Sequence, residues 1–375
     1  MSQKARCIFL LKNQLALTPP RSESPFDPHT PRFYSVLACY NFSMIDLTDT
    51  AKKLFAPGKG ILAIDESVAS ADKRLVQFGI KPSEEKRREF RELFLNAPGI
   101  EDYLSGVILH EETLSQKGSD NKLFPKSLHA RGIIPGIKVD QGTEPFPDSP
   151  KELITKGVIG LCDRLIDFHN DYHTGFTKWR AVVRIDGDAL PTNQSLVENA
   201  RRLAVYARDA QEVSMVPIIE PEMLYEGKHS RARARGVLEL TLRAVFDALE
   251  DHGVDLSGVI LKTAMVMSGH ETGKIDTPQE VAHDTLDVLM QCVPRRVPGI
   301  VFLSGGQTPE QATQNLEALS AKAKKMNAPW PLTFSYARAL QEEALTVWAG
   351  KSENTEQARK VYIERLHSVS KALEG

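Results

Sequence analysis

The sequence predicts an α/β protein, a parallel (β/α)8 TIM barrel built as a single domain. Three observations predict it. Eight short apolar runs rich in β-formers recur after Gly58, and amphipathic stretches of helical period separate them. Ionisable residues gather at the C-terminal ends of the runs, the end at which barrel strands present their chemistry. The 375 residues are enough, because barrels of about 250 residues or more form single domains.

Residues 1–43 stand apart. They are rich in Pro, Ser and Phe, without a sustained period, and set five basic residues (Lys4, Arg6, Lys12, Arg21, Arg32) against two acidic ones (Glu23, Asp27). The apolar piece Cys7–Leu11 falls short of a secretory core of about 7 to 15 residues. The segment reads as an irregular extension, with organelle targeting or a start codon at Met44 as alternatives. From Met44, MIDLTDTAKKLFAPGKG opens helix-like patterning with Asp and Thr as cap candidates. The catalytic unit is therefore expected over 44–375.

The runs are GILAID (60–65), GVILHE (106–111), GIKVD (136–140), FTKWRAVV (176–183), VPIIEPE (216–222), GVILKTAMV (258–266), GIVFLSGG (299–306) and PLTFSYAR (331–338). Short, β-rich and often preceded by Gly or Pro, they read as parallel strands buried on both faces. Helices are expected over 83–95, 195–212, 237–253, 278–292 and 309–325. Pro309 with Glu310 is a good helix start, and Gly253 after His252 a good stop. A doubly wound open sheet is the runner-up. It loses support because no G-x-G-x-x-G follows the first run and no G-x-x-x-x-G-K-[ST] occurs.

Composition excludes several classes. Apolar residues make up 41% and charged residues 26%, which rules out a disordered or collagen-like chain. The 47 Lys+Arg against 49 Asp+Glu leave a formal charge of -2, a poor basis for nonspecific nucleic-acid binding. Cys7, Cys39, Cys162 and Cys292 form no C-x-x-C pair or zinc module. A core this size needs no disulfide, so they read as thiols of a reducing, cytoplasmic compartment. No apolar run approaches the roughly 18 residues of a membrane span.

A charge inside a buried strand is costly unless paired. Asp65, Glu66, Glu111, Lys138, Asp140, Lys178, Arg180, Glu220, Glu222, Lys262 and Arg338 all sit near the ends of the runs, and in a barrel those ends form one rim. Residues 138/140, 178/180 and 220/222 are two apart, so each pair shares a strand face. Structural ion pairs explain one or two of them, less well five or six on different strands. Lys262 lies between Val259-Ile260-Leu261 and Thr263-Ala264-Met265. Desolvation there favours the neutral amine, and a second cation such as Lys178 favours it further. A neutral amine attacks carbonyls to form Schiff bases; a lysine snorkelling to solvent is the alternative. Ser304-Gly305-Gly306 after the seventh run and SYAR (335–338) after the eighth suit a phosphate, with Arg338 supplying a guanidinium.

With these motifs in register, the sequence resembles the class I, Schiff-base-forming fructose-bisphosphate aldolases from about Leu47 to Arg365. APGKGILAIDES (56–67), GVILHEETL (106–114), GIKVDQG (136–142), FTKWRAV (176–182), VPIIEPEML (216–224), ILKTAMV (260–266), FLSGGQ (302–307) and LTFSYARALQ (332–341) carry the resemblance. It implies that fructose 1,6-bisphosphate is cleaved reversibly to dihydroxyacetone phosphate and glyceraldehyde 3-phosphate through a lysine Schiff base. Lys262 takes the place of that lysine, Glu220 that of the acid–base that dehydrates the carbinolamine, and Glu222 that of its hydrogen-bonding neighbour. Asp65 matches the carboxylate that takes the C4-hydroxyl proton, with Lys178 and Arg180 as the cations beside it. Lys138 matches a substrate-contacting lysine. Ser304, Gly305, Ser335, Ala337 and Arg338 match the site for the dihydroxyacetone-phosphate end, and Ser67, Ser70 and Arg74 the region of the other phosphate. The resemblance also implies no metal or other cofactor, sugar phosphates as partners rather than nucleic acid or membrane, and a cytoplasmic homotetramer. The absence of a histidine cluster agrees on the metal, His110 being the histidine of a strand run.

Three departures stand out. Ala337 replaces a glycine common in the family, which predicts a slightly tighter phosphate fit. KTAMV replaces Lys-Pro-Asn-Met-Val, changing the support behind Lys262 but not the nucleophile. Animal members continue past KALEG (371–375) to a tyrosine that reaches the site, whereas the last tyrosine here is Tyr362; the proton step served by that tail is expected to be slower or to fall to another group. Rival readings are a Schiff-base barrel aldolase of single-phosphate sugars, a metal-dependent aldolase and a non-catalytic scaffold.

Overall fold

The computed structural model describes residues 47–375. Eight parallel strands close into a barrel: β1 (Gly60–Ile64), β2 (Leu104–Leu109), β3 (Ile134–Lys138), β6 (Phe176–Val183), β7 (Val216–Met223), β8 (Ile260–Thr263), β9 (Ile300–Phe302) and β10 (Leu332–Tyr336). Ring closure is the pairing of β1 with β10, Ile61 opposite Ser335. That pairing excludes the doubly wound alternative, whose sheet keeps two open edges. Between β3 and β6 lies an antiparallel hairpin of β4 (Thr143–Phe146) and β5 (Ser149–Thr155) that the periodicity did not reveal.

The helices among the described residues are α1 (Leu47–Leu54), α2 (Val68–Gln77), α3 (Glu84–Leu95), α4 (Glu111–Leu114), α5 (Phe124–Ala130), α6 (Leu161–Tyr172), α7 (Asn193–Glu212), α8 (Arg231–Asp251), α9 (Pro278–Cys292), α10 (Pro309–Met326), α11 (Arg338–Trp348) and α12 (Thr355–Lys371). Side chains at the turns start several of them. Ser83 accepts from the Lys86 N–H, Thr308 precedes Pro309, and Thr277 with Glu280 forms a reciprocal capping box. Gly253, at φ +68°, follows α8 as expected. Segment 1–43, with the cap candidate Asp46, lies outside the described residues.

Two apolar layers hold the barrel. Inside, Ala51 and Leu54 of α1 meet Ile61, Ile108, Phe176, Val216, Ile218, Ile260 and Val301, so α1 stoppers the N-terminal mouth. Outside, the alternate residues face the helices. Trp179 stacks on Tyr206 of α7 with ring centroids 5.4 Å apart, while its neighbours Lys178 and Arg180 line the mouth cavity. Gly136 makes room for Phe176, whose ring would lie 2.3 Å from an added Cβ. Gly136→Ala is therefore expected to destabilise the barrel by about 1–3 kcal/mol through overpacking. A denaturant titration checks it, and the surviving folded enzyme should keep its KM.

Among the described residues, Cys292 is a free thiol. No helix among the described residues is long and apolar enough to cross a membrane.

Candidate active site

Strand register assembles the rim. Ile64 pairs with Leu109 and Leu109 with Ile137, so Asp65, His110 and Lys138 follow one another around the mouth. Lys138 pairs with Lys178, Arg180 with Glu220, and Lys262 with Val301 just before Ser304. Their side chains converge on a cavity of about 620 Å³. The charges gathered at the run ends are thus one constellation rather than scattered ion pairs.

At its floor two amines and two carboxylates alternate. Lys178 Nζ lies 2.6 Å from Asp65 Oδ2 and 3.2 Å from Glu220 Oε2, and Lys262 Nζ lies 3.0 Å from Glu220 Oε1. Lys178, Glu220 and Lys262 are all buried, Lys262 with only 4% of its surface exposed, so the snorkelling alternative fails. Burial pushes the Asp65 carboxyl up, but Lys178 and then Lys262 outweigh it and hold the group below its ordinary value. Glu220 follows the same pattern, with the same two lysines prevailing over desolvation. Burial works against charge on Lys178 too, yet Asp65 and Glu220 raise it far above the ordinary ammonium range. Lys178 therefore serves as a permanent cation for two carboxylates, and Glu220 stands between it and Lys262. Glu220 Oε2 faces the Lys178 ammonium without hydrogen-bond geometry, while Oε1 faces the Lys262 amine and can take or return its proton.

Glu222 does not hydrogen-bond Glu220. It pairs with Arg180 across the β6–β7 seam, which corrects the expectation. Each glutamate has its own cation, Glu222 with Arg180 and Glu220 with Lys178 and Lys262, and two ionised carboxylates are acceptors with no proton to share. Lys138 pairs with Asp140 at 2.6 Å, and Asp140 Oδ2 accepts from the Arg180 N–H at 3.2 Å.

The phosphate motifs meet on the β9–β10 side. Ser304, Gly305, Ser335, Ala337 and Arg338 all line the cavity, and the buried Ser335 Oγ has no partner. Gly306, at φ +74°, turns the loop, and its carbonyl accepts from His270 Nε2 at 2.7 Å. Tyr225 stacks on that imidazole and crowds Gly306 so closely that an added Cβ would lie 2.4 Å from its ring. Arg338 opens α11 instead of ending a strand, which places a helix N-terminus beside the guanidinium. Ala337 has φ −109°, so the position makes no demand for glycine.

Ser67 and Ser70 also line the cavity, with Ser67 capping α2 by accepting from the Ser70 N–H at 3.4 Å. Arg74 does not line it. One turn further along α2, its guanidinium turns onto the Phe78 ring, 5.9 Å from the centroid, where Glu66 is its leading carboxylate neighbour. Gln141, Gly142 and Thr143, leading into the hairpin, line the cavity unannounced; a polar turn before a Pro-interrupted strand carries no periodic signal. Glu111 ends no strand but starts α4. Tyr362 is buried against Phe94, ring centroids 4.9 Å apart.

A closed (β/α)8 barrel with a charge-lined cavity at its C-terminal mouth defines a barrel enzyme. The model of the class I fructose-bisphosphate aldolases matches residues 46–375. A probable class 1 fructose-bisphosphate aldolase of Xanthomonas axonopodis is 44% identical over 324 residues, covering 86% of this chain and 96% of that protein. The cytosolic aldolase 4 of Arabidopsis thaliana is 43% identical, covering 92% and 85%, and aldolase B of Bos taurus is 43% identical, covering 88% and 90%. The crystal structure of Plasmodium falciparum fructose-bisphosphate aldolase, in complex with TRAP and a small-molecule inhibitor, superposes with a TM-score of 0.84 at 41% identity, covering 87% of this chain and 93% of that one. The chain belongs to the class I fructose-bisphosphate aldolase family and is a lyase that cleaves fructose 1,6-bisphosphate reversibly to two triose phosphates.

Proposed function

We propose that Lys262 is the amine that forms the Schiff base in this aldolase. The observation that carries the reading is its burial beside Glu220, 3.0 Å from Oε1. Lys262 gives up a proton and attacks the C2 ketone of the open-chain bisphosphate. Glu220 returns a proton to the carbinolamine oxygen, which leaves as water. Asp65 then takes the C4-hydroxyl proton. The C3–C4 pair flows into the iminium nitrogen, and glyceraldehyde 3-phosphate departs. Protonation of the enamine and hydrolysis release dihydroxyacetone phosphate and restore the amine. Lys178 keeps Asp65 and Glu220 ionised until each takes up its proton.

Ser304, Gly305, Ser335, Ala337 and Arg338 take the phosphate of the ketone half; Ser67 and Ser70, with the cations Lys138 and Arg180, serve the other end. Two separate anion sites in one cavity support a bisphosphate over a single-phosphate sugar. Arg74 belongs to the second site only if it swings off Phe78. Glu222 acts by orienting Arg180. The iminium supplies the electron sink, so the reading needs no metal or other cofactor. Sugar phosphates are then the partners of this cavity, with no role for nucleic acid or membrane. The family pattern and the cytosolic Arabidopsis relative support a cytoplasmic homotetramer with residues 44–375 as the catalytic unit.

Borohydride reduction with dihydroxyacetone phosphate tests the assignment. Mass analysis of peptides should find the reduced three-carbon phosphate on Lys262. An adduct on another lysine, or none with an active enzyme, overturns it.

A further inference from the structure

No step above uses His110. It follows β2 directly and caps α4, where its Nδ1 accepts from the Glu112 N–H at 3.3 Å. An accepting ring nitrogen carries no proton, so the neutral imidazole bears its hydrogen on Nε2. Burial first, then the cations Arg91 and Lys138, push the imidazolium down to about 4 against the opposing pull of Asp65 and Glu112. The ring is therefore a neutral donor at ordinary pH.

Its neighbours are engaged. Asp65 pairs with Lys178, Lys138 with Asp140, and Arg91 with Glu112 at 2.6 Å. His110 Nε2 has no hydrogen-bond partner among the described residues, and the residue lines the cavity. The ring order β1-β10-β9-β8-β7-β6-β3-β2 puts β2 four strands from β8 in either direction. His110 thus stands across the mouth from Lys262, beside Asp65 on one flank and Lys138 on the other. A substrate held covalently by Lys262 presents its far half to this histidine.

We propose that His110 donates a hydrogen bond from Nε2 to the C4 oxygen of the substrate, the oxygen that Asp65 deprotonates, and so recognises the aldehyde half. The inference rests on Lys262 and Asp65 acting as assigned above. As the C4–OH proton passes to Asp65 and the C3–C4 pair leaves for the iminium, negative charge develops on that oxygen before it becomes the aldehyde carbonyl. A donor aimed at it is strengthened as the bond breaks. In condensation the same N–H polarises the incoming aldehyde toward the enamine. A neutral donor suits the place, because Asp65 already has its cation in Lys178.

The test compares His110→Phe, which keeps ring bulk without the donor, with His110→Gln, which restores an N–H. Wild type must trap dihydroxyacetone phosphate with borohydride; if it does not, the assignment of Lys262 falls before His110 is tested. In His110→Phe, trapping should be unchanged, because it involves the ketone half alone. Its kcat/KM for the bisphosphate should fall about tenfold, and KM for glyceraldehyde 3-phosphate in condensation should rise by a similar factor, as for one lost hydrogen bond to developing charge. His110→Gln should recover most of both. Cleavage at the wild-type rate, or trapping that falls as far as cleavage, overturns the proposal. Should His110→Phe not fold, His110→Ala is read against the same two outcomes.

Discussion

Lys262→Met should lose at least about 10⁴-fold in cleavage rate, as removal of a covalent nucleophile does, and show no borohydride adduct with dihydroxyacetone phosphate. Methionine matches the lysine stem in volume, and Glu220 keeps Lys178 at 3.2 Å. No buried carboxylate is stranded, so the melting temperature should stay close to that of wild type. A folded variant without adduct or turnover separates loss of chemistry from loss of structure. A folded variant that still cleaves the bisphosphate would move the covalent role elsewhere.

Lys178→Met is the contrasting case. Asp65 and Glu220 would then share a buried site with Lys262 as the sole amine between them. Removing one partner of a buried ion pair costs about 3–5 kcal/mol, so the denaturant midpoint should drop sharply. Turnover of the folded fraction should fall about 10²- to 10³-fold with the loss of its electrostatic stabilisation. Adding Asp65→Asn removes the stranded charge, so the double variant should regain much of the stability while staying inactive, because the C4 base is gone as well.

The fold was legible because a parallel barrel writes itself in short apolar runs with chemistry at one end. Even β9, three residues long, was visible as part of GIVFLSGG. The four central groups were legible for the converse reason, that a charge inside an apolar run needs a use. What escaped was set by geometry across strands. Arg180 and Glu222 meet because β6 and β7 pair in a particular register, whereas sequence showed only that each sat two residues from another charge. The β4–β5 hairpin escaped because Pro145 and Pro150 interrupt its alternation. Arg74 lies where the turn of α2 and the Phe78 ring place it, which motif matching does not encode.

The seam between β1 and β10 joins the first strand of the ring to the last. During synthesis no ring exists until almost the whole chain has left the ribosome. Every shorter nascent form is an incomplete sheet with two bare edges, the kind that recruits other strands. The enzyme's most aggregation-exposed moment is therefore set by connectivity, and α1, made before the strands of the ring, waits at the mouth it will later fill.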